Sequence, residues 1–167
     1  MALIIETGTI VSNANSYGDL AGLRAFATAR GIDLVPAADA DLDVHMIKAM
    51  DFIEAKRARF KGIKATATQS TQWPRIGVEI DDYALESNKI PRELIYCQFF
   101  LALESYLGND LLPTRLPSDK GLLTGSDVGG AIKKTFEYPD KIVNPVFTKA
   151  MSVLSPLMNA SNRVYRS

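Results

Sequence analysis

Residues 90–108 read Ile90-Pro91-Arg92-Glu93-Leu94-Ile95-Tyr96-Cys97-Gln98-Phe99-Phe100-Leu101-Ala102-Leu103-Glu104-Ser105-Tyr106-Leu107-Gly108. The proline suits a helix start, because the N–H it lacks has no partner in a first turn. Leu94, Cys97, Gln98, Leu101, Ala102 and Tyr106 fall on one side at helical spacing. Ile95, Phe99, Phe100 and Leu103 line much of the rest. A helix apolar nearly all round has to be covered by several neighbours. Gly108 supplies the stop. The chain is therefore expected to pack around this one helix, and the other segments must provide its cover.

Just upstream lies the stretch 65–78, with the only tryptophan, Trp73, followed by Pro74 and then Gly77. The proline ring restricts Trp73 to extended backbone and removes one donor. Gly77 permits a turn that a side chain would resist. The Thr/Gln/Ser run before them has no apolar period and reads as an extended connection. Trp73, Pro74 and Gly77 together are read as a structural plug filling a gap between helices. Truncating such an indole costs roughly 3–5 kcal/mol.

Further out, residues 2–11 are apolar and β-branched, a short strand or arm that needs a partner in its own fold or in another subunit. A first helix is expected over about 17–30, with Ser16 as cap and Gly31 as stop. A second is expected over about 42–59, on the stripe Leu42, Met46, Ala49, Met50, Ile53 and Phe60. Residues 78–88 look acidic and irregular, with Asp81, Asp82 and Glu86. After Gly108 a Gly/Pro-rich arm covers about 109–140, and residues 131–138 alternate as a strand or hairpin would. Asn144-Pro145 starts a last helix carrying Phe147, Ala150, Met151 and Leu154. The expected class is mainly α: a small bundle of about four helices with extended β-like arms and a C-terminal tail. It makes one domain over 1–167, with a helical core at about 15–108 and 144–157 and a tail at 159–167.

The 19 basic and 19 acidic residues cancel, so the chain as a whole is not a polyanion binder and any nucleic-acid contact must be local. One Cys and one His cannot build a structural zinc site or an internal disulfide. No metal or cofactor is expected. Residues 1–9 lack the pattern of a secretion signal, and no run approaches the ~20 apolar residues of a membrane span. A reducing cytoplasm suits the single Cys97, which would be inert if buried. Asp39, Asp41 and Asp43 open like a calcium loop, but Val44 stands where the glycine is needed and Met50 where the closing glutamate is needed. They read as acidic residues at a helix start. His45 has no second histidine to pair with, and no serine sits in a Gly-x-Ser-x-Gly turn. No catalysis is expected.

The basic end of the second helix is the clearest charged feature. Residues 48–64 hold six basic and two acidic side chains, leaving +4. Lys56, Arg57, Arg59, Lys61 and Lys64 form a patch that can be a solvated face, a surface for phosphates, or a contact with an acidic patch on a neighbouring subunit.

The ordered elements Ala14-Asn15-Ser16-Tyr17, Ala29-Arg30-Gly31, Ala49-Met50-Asp51-Phe52-Ile53, Phe60-Lys61-Gly62, the run from Gln69 to Gly77, and Ile90-Pro91 carry a family resemblance. Together they resemble bacteriophage neck proteins labelled "DnaT-like single-stranded DNA-binding", whose members look like head–tail adaptors. The match is good over about 12–112 and looser beyond. The resemblance implies a ring, dodecameric in such adaptors, lying under the portal protein and joining it to a tail or nozzle/stopper protein. Genomic DNA would pass through without sequence recognition, and the protein would reside in the virion after assembly in the host cytoplasm. It also implies portal docking by Asn162, Arg163, Val164, Tyr165, Arg166 and Ser167. The alternative implied by the label is single-stranded DNA binding, for which Trp73 beside Arg75, near Lys61 and Lys64, offers an aromatic within a basic setting.

Overall fold

A computed structural model describes residues 2–112, 122–126, 134–137 and 147–159. Among the described residues it holds four α-helices and three small antiparallel strand pairs. The chain divides into two units: residues 1–111 with 147–167, and residues 112–146.

The first unit is built around α3, Arg92–Tyr106. This helix packs against α2, Asp39–Glu54, and α4, Thr148–Leu154, while α1, Leu20–Thr28, lies on both α2 and α3. Leu94, Cys97, Phe99, Leu101, Ala102 and Leu103 of α3 are all buried. They meet Leu23, Phe26 and Ala27 of α1, Leu42, Met46, Ala49, Met50 and Ile53 of α2, and Ala150 and Leu154 of α4 in one core. Pro91 stands at the cap position, one residue before the first turn.

Two helices depart from their expected bounds. α1 starts at Leu20, and its cap is Asp19, whose side chain accepts from Gly22 N. Ser16 does not cap; its hydroxyl donates to Gly18 O. The reason lies far along the chain: Gln98 Oε1 accepts from both Tyr17 N and Gly18 N, at 2.9 and 3.1 Å. Those N–H groups are held by α3, so coiling begins only after them. α2 starts earlier than expected, at Asp39, and stops at Glu54; a 3₁₀ turn, Arg57–Arg59, follows.

The region from 60 to 85 holds more β-structure than its sequence announces. β1, Ile63–Lys64, pairs with β2, Arg75–Ile76. β3, Glu79–Ile80, pairs with β4, Tyr83–Ala84. The segment expected to be irregular is thus a tight hairpin. Its two turn residues, Asp81 and Asp82, have φ of 51° and 66°. Aspartate tolerates this left-handed backbone better than most residues, and such a turn matches strand twist. Gly62 is required where it stands: its φ is 65° and an added Cβ would lie 2.3 Å from Ile76 O.

The N-terminal arm finds its partner within this chain, through a parallel bridge between Ile5 and Ser16. The Glu6 carboxylate is buried beneath it and accepts from Gly8 N, Ile10 N and Val11 N. Three N–H groups aimed at one carboxylate satisfy its charge and fix the turn. In the second unit, β5, Leu122–Ser126, pairs antiparallel with β6, Lys134–Glu137, with a register shift between Leu123 and Gly125. The arm expected from alternation is therefore a hairpin. The expected helix start at Asn144-Pro145 and the tail from Asn162 to Ser167 lie outside the described residues.

Candidate nucleic-acid interface

The sequence-predicted patch sits where α2 gives way to the 3₁₀ turn and β1. Its five cations do not act alike. Lys56 is half-buried, with its ammonium 4.3 Å from the centre of the Phe52 ring, and burial plus nearby Arg59 lower its pKa. Lys61 Nζ donates to Glu79 O at 3.1 Å and Lys64 Nζ to Gln69 O at 3.0 Å. These two tie the strand pairs and the Trp loop together. Arg57 and Arg59 are exposed. The end of the first unit's last helix runs beside them: Phe60 bridges Met158, and Asn159 N donates to Arg59 O at 2.7 Å.

Trp73 is fully buried and meets Phe60 edge-on, ring centres 5.9 Å apart. The Trp73–Pro74 peptide is cis. The stacking role offered for this indole beside Arg75 is corrected by its burial, since a base cannot reach it. Arg75 is itself buried, donating to Lys61 O and Gly62 O at 2.7 Å each. Gln69 binds the loop from inside, its Nε2 donating to Thr71 O and Pro74 O. Gly77, with φ of 72°, turns the chain from β2 towards β3.

The same loop is fastened to the bundle by a buried polar relay. Tyr17 Oη donates to Glu54 Oε1 at 2.6 Å and accepts from Trp73 N at 3.2 Å, while Gln72 N also donates to Glu54 Oε1. Burial pushes the Glu54 carboxyl above its usual range and the Tyr17 phenol well above its own.

A second surface, absent from the sequence reading, lies where α1 meets α3. Phe26 packs against Tyr96, Phe99 and Phe100, with ring centres 5.0, 5.3 and 4.9 Å away. The Arg30 guanidinium lies 3.3 Å above Phe26 and 5.9 Å from the Tyr96 ring, and Arg92 lies 5.7 Å from the same ring. Residues 26 and 30 come from one helix and its exit, residues 92, 96 and 100 from another. No local pattern in the sequence joins them.

His45 and Ser105 also meet, Nδ1 to Oγ at 2.8 Å, beside a cleft lined by Pro36, Ala37, Asp41, Val44 and Tyr106. Burial lowers the His45 pKa. Ser105 sits in the last turn of α3, where backbone N–H groups are committed to helix bonds and cannot hold an oxyanion. Cys97 is buried and its thiol is pushed up to about 12. Among the described residues no three His, Cys, Asp or Glu side chains are placed to hold a metal, and no helix is long and apolar enough to cross a membrane.

A family model described as "Putative DnaT-like ssDNA binding protein" matches residues 1–167. The chain belongs to this family. No curated protein and no solved structure matches it.

Proposed function

We propose that this protein binds single-stranded DNA without reading its sequence. The whole-length family match carries the reading. The surface chemistry supports it: the chain is neutral overall, yet exposed arginines stand at the end of α2 and on the α1–α3 face. A neutral protein with local cations should hold a strand weakly and with strong dependence on salt. The reading is of a binding protein, not an enzyme. It is tested by titrating a fluorophore-labelled oligothymidine at low salt and repeating the titration as salt rises. Log affinity should fall linearly with log salt, by roughly 0.7 for each phosphate neutralised. Absence of binding at the lowest salt would overturn the reading.

A second reading is favoured by the ordered resemblance over about 12–112. Here the chain is a head–tail adaptor, a dodecameric ring under the portal protein that receives a tail or nozzle/stopper protein and lets genomic DNA through its channel. It would belong to the virion. Removing residues 159–167, which include Asn162 to Ser167, should abolish portal binding and leave the helical circular dichroism intact. Charge reversal at Arg57 and Arg59 should impair assembly. Normal portal binding by the shortened chain would refute the docking role of the tail.

A further inference from the structure

We propose that Arg30, Arg92, Tyr96 and Phe100 form the platform on which bases of a single strand stack, an assignment that rests on the strand-binding reading above. Non-specific strand binding needs an accessible ring, because every base has a π-face, and cations close by for the phosphates. The described residues offer few such rings. Trp73 is fully buried. Tyr83 is 79% exposed but follows Asp81 and Asp82 directly, and their charges repel phosphate. Tyr96 is 36% exposed and has two arginines, Arg30 and Arg92, within 6 Å of its ring centre.

The platform is also built rather than incidental. Phe26 is 5% exposed and holds Tyr96, Phe100 and Arg30 in place from beneath. Arg30 Nη1 donates to Phe26 O at 3.0 Å, which fixes the guanidinium just past the end of α1 and leaves its other nitrogen for a phosphate. The Arg92 side chain is 74% exposed, and Glu93, 3.5 Å away, engages one side of it. A planar guanidinium can pair bidentately with phosphate and also stack flat on a ring, geometries that a lysine ammonium lacks. A duplex keeps its bases stacked on each other, so the platform should favour unpaired strands.

Labelled oligothymidine binding by the full chain tests this, with fluorescence anisotropy as readout and matched duplex as competitor. Tyr96→Ala should weaken binding about tenfold, while Tyr96→Phe, which keeps the ring, should stay within about twofold of the parent. Arg92→Ala should reduce the salt slope by about 0.7, the share of one phosphate on a single strand. The duplex should compete poorly. Thermal melts establish that each variant is folded; should Tyr96→Ala fail to fold, Arg92→Ala decides, since its side chain lies largely in solvent. Parent-like affinity in Tyr96→Ala, or a parent-like salt slope in Arg92→Ala, overturns the platform and leaves strand binding standing, with Arg57→Ala/Arg59→Ala then expected to carry the loss. A parent protein that binds no strand overturns both.

Discussion

Gln98 shows how one side chain can set the geometry of three elements. It is fully buried, its oxygen accepts from Tyr17 N and Gly18 N, and its amide donates to Ser16 Oγ and Met46 O at 2.9 and 3.0 Å. All four of its hydrogen-bonding positions are filled. Gln98→Leu would keep the volume and orphan two buried N–H groups, each costing about 1–3 kcal/mol. A loss of roughly 3 kcal/mol is expected, seen as a lower denaturant midpoint with an unchanged slope. Glu54 behaves in the opposite sense. Its carboxyl is raised by burial, so the folded state takes up protons more readily than the unfolded state. That contribution is full below the ordinary value of 4.5 and fades as pH rises through the raised folded value. Glu54→Gln retains an acceptor for Tyr17 Oη and Gln72 N and removes the buried charge. Its melting temperature at pH 7 should equal or exceed the parent's, with a flatter profile above pH 4.5; a drop of several degrees would contradict this. Cys97 should resist thiol reagents at pH 8 and react once denaturant opens the core, since its thiol is pushed up to about 12.

Among the elements, α3 was legible because its apolar residues run nearly all round it, and nothing but burial satisfies such a pattern. The start of α1 was not legible, because the groups that delay it come from Gln98, some 80 residues away. Asp19→Ala tests the reassigned cap and should cost about 1 kcal/mol, whereas Ser16→Ala should not act through helix capping. The β3–β4 hairpin is hidden in the sequence for a different reason. Asp81 and Asp82 show there as acidity, but what decides the local fold is their tolerance of positive φ. Replacing both with Val, which resists that backbone, should destabilise the hairpin and release the contact between Lys61 and Glu79 O. The Trp loop falls between these cases: Trp73, Pro74 and Gly77 mark a fixed loop, but the relay through Tyr17 and Glu54 that fastens it is a product of tertiary packing.

For the whole molecule, the sequence places charge but not its grouping. Lys56, Arg57, Arg59, Lys61 and Lys64 look like one patch in the chain, yet Lys61 and Lys64 hold backbone oxygens and Lys56 lies against Phe52. Arg57 and Arg59 alone stand exposed in that group. The surface assigned to the strand draws on two helices instead, which is why a linear reading passed over it. Sedimentation velocity of a labelled oligothymidine mixed with the purified protein at low salt tests strand binding most directly. The account predicts that the label moves with the protein and is released as salt increases. A label that stays free at every protein concentration, above all beside a fast-moving protein ring, would contradict it.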